Sequence, residues 1–164
     1  MNDSADRAVI LKAANELRQM FGCAYGCCDD ASYLLAAMLR KAGLKPTVMR
    51  GTFWTAAREL VKPIRKDASL HWWVECSGYL VDITADQFNG EISDEEAMPE
   101  VVCVPRKQAS YRYSKGKTDL SKANPAKSLG RIRGAGGTGI GFQFPYMDRQ
   151  LKEDLESLGL SGPR

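Results

Sequence analysis

The chain carries a single histidine, His71, at the head of the stretch HWWVECSGYLVDITADQF, residues 71–88. Imidazole is the side chain whose charge ordinarily changes near neutral pH, so its neighbours decide what it can do. Two β-prone runs, Trp72–Glu75 and Leu80–Thr84, flank Cys76-Ser77-Gly78-Tyr79. Ser-Gly between such runs predicts a hairpin with a two-residue loop. That loop sets Cys76 opposite Tyr79, Trp73 opposite Asp82 and His71 opposite Thr84. Side chains alternate along a strand, so His71, Trp73, Asp82 and Thr84 share one face. His71 and Asp82 then become diagonal cross-strand neighbours, within reach of one another. An aspartate there fixes the imidazole tautomer and stabilises its charged form, which is the orienting half of a nucleophile–base–acid triad. A three-residue loop would turn the two side chains to opposite faces.

The nucleophile must come from elsewhere, and Cys28 is the candidate. It immediately precedes a helix-like run, at or next to the N-cap. Unpaired backbone N–H groups there carry partial positive charge, which favours thiolate and can hold a developing oxyanion. A nearby His71 would add an ion-pair partner. Asp29 and Asp30 argue the other way, because a carboxylate beside the sulfur disfavours thiolate. Cys27 competes for the role from one residue further out. Trp72 and Trp73 could shield the sulfur from solvent or simply fill the core. The five cysteines include no C-x-x-C pair, so zinc spacing is lacking and no metal or cofactor is expected. An odd number of cysteines in a chain of this length points to free thiols and a reducing, cytoplasmic setting.

Several elements must position these groups. Residues 5–21 place Val9, Ile10, Ala13, Ala14, Leu17, Met20 and Phe21 on one helical face. A second helix is expected from Asp29 to Ala42, with acids in its first turn, Arg40 and Lys41 in its last and Gly43 as a left-handed cap. Residues 47–54 read as a strand, and 55–62 as a short helix stopped by Pro63. The 71–84 hairpin follows, then an acidic loop or short helix over 89–100 and a strand from Val101 to Val104. Residues 105–133 hold nine basic residues and one acid, with little apolar periodicity, and read as a long surface loop or partly disordered arm. The run GAGGTGIGF, 134–142, lacks the Lys-Ser/Thr ending of a phosphate-binding loop and reads as a hinge. Residues 146–158 form a short amphipathic helix. The expected organisation is a core over 1–104, a basic, glycine-rich arm over 105–145 and a C-terminal helix within 146–164.

Composition narrows the class. The chain has 164 residues, 44% hydrophobic and 26% charged, enough for one domain with a real core. No apolar run approaches a membrane span, and the N-terminus has acids where a secretion signal wants bases. Residues 1–104 hold 11 basic and 15 acidic residues, a balance of −4, whereas 105–164 hold 12 and 5, a balance of +7. The basic stretch 105–133, with Tyr111 and Tyr113 interleaved, could hold nucleic acid or an acidic protein partner.

Taken together, Cys28, Ser32, Leu35, Leu39-Arg40, Gly43-Leu44, Pro46, Val48 and Gly51 resemble the nucleophile helix and following strand of the transglutaminase-like superfamily. His71-Trp72-Trp73-Val74-Glu75 and Val81-Asp82 resemble that family's His-x-Trp-Val-Glu strand and the strand ending in Asp. The ending Asp82–Phe88 is similar to small bacterial and phage-borne members. The likeness covers residues 22–88. It implies an α+β, papain-like fold, with the cysteine helix packed on an antiparallel sheet, and acyl transfer at amides of a protein or peptide substrate. Peptidases, glutamine deamidases and cross-linking enzymes share such cores, and some members are inactive structural domains. Counting back from Gly43 by the family's helix length selects Cys28 over Cys27. The resemblance leaves the oxyanion side chain unassigned: Gln19 and Tyr25 lie upstream of Cys28 at a spacing that is not papain-like, and Gln87 could serve or could cap the strand end.

Overall fold

The computed structural model describes residues 3–21, 26–55, 68–119, 124–135 and 144–160. The described chain is α+β. It has helices α1 (Asp3–Phe21), α2 (Cys28–Lys41), α3 (Pro125–Ala135) and α4 (Phe144–Ser157). Its strands are β1 (Thr47–Trp54), β2 (Ala68–Cys76), β3 (Tyr79–Asp82), β4 (Val102–Pro105) and β5 (Lys117–Thr118). They form one antiparallel sheet in the order β4-β3-β2-β1-β5.

Local chemistry explains most of these boundaries. The loop between β2 and β3 is Ser77-Gly78, and both residues have positive φ, 49° and 83°. A tight hairpin turn of the primed type needs that at both central positions, and glycine adopts it without a side-chain penalty. Cys76 therefore pairs with Tyr79, Glu75 with Leu80 and Val74 with Val81, the register a two-residue loop requires. Helix α2 starts with Cys27 as N-cap and Cys28 as its first helical residue. It ends in a Schellman motif: Gly43, at φ 84°, donates to the Arg40 carbonyl, and Leu44 donates to that of Leu39.

The sheet divides two apolar clusters. On one face Val48, Val74, Cys76, Tyr79 and Val81 meet Ile10, Ala14 and Leu17 of α1 and Ala31, Leu34, Leu35 and Leu39 of α2. Helix α2 lies on β2 and β1, flanked by α1 and α3. On the other face Phe53, Trp73, Leu80, Ala85, Phe88, Val102 and Tyr113 form a smaller core. Among the described residues no α-helix covers this face; a 3₁₀ turn, Ala85–Phe88, and the segment before β5 supply Ala85, Phe88 and Tyr113.

The expected bounds shift in places. The strand expected at Val101–Val104 lies at Val102–Pro105, and the last helix spans Phe144–Ser157. The acidic 89–100 stretch contains a 3₁₀ turn at Asp94–Glu96. The expected 55–62 helix lies outside the described residues except for Thr55, which is not helical, and the glycine run lies outside them from Gly136 onward. The largest difference concerns 105–133, read as a loop or arm. It contributes β5, paired with Met49 and Arg50 of β1, and helix α3. It also buries Arg112 and Tyr113. Arg112 donates to the carbonyls of Trp54 at 2.8 Å and Thr55 at 2.9 Å, and pairs with Glu96 at 2.8 Å. These long-range bonds order a segment whose composition alone favours solvent.

Candidate active site

Asp82 is the fixed point of the site. It ends β3, is 2% exposed and accepts four hydrogen bonds. Its Oδ1 takes the Thr84 backbone N–H at 2.8 Å and the Thr84 hydroxyl at 2.9 Å. Its Oδ2 takes the Tyr113 hydroxyl at 2.9 Å and meets His71 Nε2 at 2.6 Å. An ionised carboxylate only accepts, so Nε2 carries the hydrogen and Nδ1 is the position that gains or loses a proton. Burial works to raise the Asp82 pKa, but the His71 charge, the His71 hydrogen bond and the bonds from Thr84 and Tyr113 outweigh it and hold the carboxyl below its ordinary value.

His71 is fully buried in β2, edge-on to Phe53 and Phe88 at 5.4 and 5.2 Å. Burial by itself would drive the imidazole neutral. The Asp82 charge and hydrogen bond, followed by the Cys28 thiol, raise it instead, to about 10. Its Nδ1 has no conventional hydrogen-bond partner. Cys28 is nevertheless close enough to act on the ring's charge. The ring is thus held from the Asp82 side, with its second nitrogen left for the sulfur.

One brace ties the mouth of α2 to this end of the sheet, and a second ties α1 to it. Gly26 donates its backbone N–H to Gln87 Oε1 at 3.0 Å, and Gln87 Nε2 donates to the Thr84 carbonyl at 2.8 Å. The segment entering Cys27-Cys28 is thereby tied two residues beyond Asp82. From α1, buried Arg18 pairs with Asp86 of the same turn. The first helical bond of α2 runs from Ala31 to the Cys27 carbonyl, so the N–H groups of Cys28, Asp29 and Asp30 lie ahead of the intrahelical ladder. Asp30, a carboxylate expected to oppose a thiolate, is buried and paired with Arg131 of α3. Cys27 is pushed to higher pKa, first by burial and then by Asp30 and Asp29, against a smaller pull from Arg131.

The remaining sequence candidates scatter. Trp73 is fully buried, its ring 6.4 Å from His71 and 5.5 Å from Tyr113. Ideal Cβ atoms on Gly51 and Gly116 would come within 2.5 and 2.7 Å of that ring. It packs beside the imidazole as core, out of solvent. Trp72 points to the helix face, half-buried, and donates to Asp119 at 2.6 Å. Gln19 is exposed on α1, and Tyr25 lies outside the described residues. Gln87 spends both ends of its amide on bracing. Tyr113 was missed because it sits in a basic stretch without period. Helix α3, which carries Arg131, announced itself in Asn124-Pro125: Asn124 Oδ1 caps the N–H of Ala126 at 3.0 Å, and proline suits the first helical position.

The arrangement defines an α+β domain with a buried carboxylate–imidazole pair beside a cysteine at a helix mouth. Comparison with protein-family models, curated proteins and solved structures returns no match. Among the described residues, no three metal-ligating side chains converge, and no helix is long and apolar enough to cross a membrane.

Proposed function

We propose that this chain is a thiol-dependent acyl-transfer enzyme acting on amide bonds, built on a papain-like, transglutaminase-like core. Cys28 is its nucleophile, His71 its acid–base group and Asp82 the residue that orients His71. The observation that carries this reading is the imidazole itself. It is buried and bonded through Nε2 to Asp82, Nδ1 has no conventional partner, and the Cys28 thiol acts on the ring's charge.

In the proposed cycle the proton given up by the Cys28 thiol is the one that His71 Nδ1 holds before substrate arrives. The sulfur attacks the amide carbonyl, forming the C–S bond while the carbonyl π pair moves onto oxygen. The N–H groups ahead of the α2 ladder hold that oxyanion. Its collapse breaks the C–N bond, and the Nδ1 proton leaves with the amine or ammonia. Water, or an amine acceptor, then attacks the thioester and gives a proton to Nδ1. The C–S bond breaks, and the sulfur and the protonated Nδ1 stand as they began. Peptide hydrolysis, glutamine deamidation and transfer to an amine all follow from these steps. The substrate is a protein or peptide.

The test is selective chemistry at the sulfur. Iodoacetamide at pH 7 should alkylate Cys28 well before Cys27, Cys76 and Cys103, whose thiols burial pushes up. His71→Ala should abolish that preference. Mass spectrometry should trap an acyl group on Cys28 in wild type and none in Cys28→Ala. Equal alkylation at all cysteines would overturn the reading in favour of an inactive structural domain.

A further inference from the structure

A groove of about 640 Å³ lies along the β1–β5 edge, and Cys28 is not among its lining residues. Arg50, Gly51 and Thr52 of β1 form one wall, the return segment from Ser114 to Asp119 forms the other, and Leu70 of β2 borders it. That volume is within the roughly 300–1,000 Å³ of built ligand sites. The walls are stitched together: the Thr52 N–H donates to Ser114 Oγ at 2.8 Å, and the Ser114 N–H to the Thr52 carbonyl at 2.9 Å.

Three cations, Arg50, Lys115 and Lys117, line the groove. All are exposed, and none forms an ion pair among the described residues. The one carboxylate among the described lining residues, Asp119, already accepts from Tyr33 at 2.8 Å and Trp72 at 2.6 Å. Leu70 is 53% exposed, a large apolar side chain beside the cations. No aromatic side chain is among the described lining residues, so they offer single-stranded nucleic acid no stacking platform. Strand β5 is only two residues long and ends the sheet, and such an edge can accept an extended chain through its backbone. Leu70 precedes His71 in β2, and Gly51 is the cross-strand partner of His71.

We propose that this groove binds an acidic stretch of a peptide chain. Arg50, Lys115 and Lys117 pair with its carboxylates, and Leu70 takes an apolar side chain. The groove would hold substrate for the sulfur, and in that purpose alone the inference rests on the acyl-transfer reading; binding needs only the groove.

The experiment uses the full chain carrying Cys28→Ser and a fluorescein-labelled peptide alternating Glu with Leu, read by fluorescence anisotropy. Its controls are the same peptide with Gln for Glu, and a labelled oligouridylate. The Glu peptide should bind with salt-sensitive affinity, and the Gln peptide more weakly. Lys115→Glu with Lys117→Glu should weaken the Glu peptide by on the order of tenfold or more. Lys107→Glu with Lys127→Glu, outside the groove, should leave it unchanged, with thermal melts confirming that each variant folds. Equal binding of the Gln peptide, equal loss in the control pair, or tighter groove-dependent binding of oligouridylate would each overturn the proposal. Failure here with selective Cys28 alkylation intact removes only the groove; the reverse result removes the acyl-transfer reading and leaves the groove standing.

Discussion

At the scale of single residues, the two protonation sites of the buried pair make opposite demands on pH. His71 keeps its proton to about 10 in the folded chain, against an ordinary 6.5. Its contribution to stability is therefore fully present below 6.5 and is lost as pH rises through about 10. Asp82 is held below its ordinary 3.8, so its contribution is present above that value and lost as pH falls below it. The pair should stabilise the fold most between these limits. In urea titrations, the difference between wild type and His71→Gln should shrink from pH 6.5 toward 10, by on the order of a few kcal/mol. Turnover should hold on the alkaline side until Nδ1 loses its proton near that same value, and Asp82→Asn should move this limb to lower pH. A limb that stays in place in Asp82→Asn would show that Asp82 does not govern the imidazole. Tyr113→Phe removes a charge-assisted bond to Asp82 and should cost about 1.5–3 kcal/mol in thermal or urea unfolding.

At the scale of elements, the hairpin was legible because its turn chemistry is local. Ser77-Gly78 selects the turn, the turn sets the register, and the register puts Asp82 within reach of His71. Helix α2 was legible for the same reason, from its acidic first turn, basic last turn and Gly43. The fit between β1, β5 and Trp73 was not, because it depends on strands distant in sequence. A Cβ on Gly51 would collide with Ser114 Oγ and meet Trp73 Cη2 at 2.5 Å. Gly51→Ala should therefore destabilise by about 1–3 kcal/mol, as overpacking does. Combining it with Trp73→Phe should cost less than the two single changes added together, because both act on one contact. Strict additivity in denaturant melts would argue that the clash is relieved elsewhere.

At the scale of the whole molecule, the basic third of the chain is built into the domain. Arg112 bonds the end of β1, Tyr113 completes the Asp82 shell, β5 extends the sheet and Arg131 of α3 meets Asp30 at the mouth of α2. Deleting 105–133 should thus remove cooperative unfolding and Cys28 selectivity together. A dispensable arm would leave both, and circular dichroism melts with alkylation mapping separate the outcomes. Charge density misled the sequence reading here. Nine cations and one acid over 105–133 suggest a solvated segment. Composition cannot register that one guanidinium finds two carbonyls and a carboxylate inside the fold.

The amino-acid sequence by itself determined the tight hairpin, the register it imposes, the capped helix that follows the adjacent cysteines and the nearness of the only histidine to Asp82. These follow from turn, cap and alternation rules that act over a few residues. Only the tertiary structure decided that Tyr113 completes the Asp82 shell, that Gln87 ties the cysteine segment to the end of β3, and that Arg131 answers Asp30. Each joins positions dozens of residues apart, and such contacts exist only after α2, the sheet and the basic segment have packed against one another.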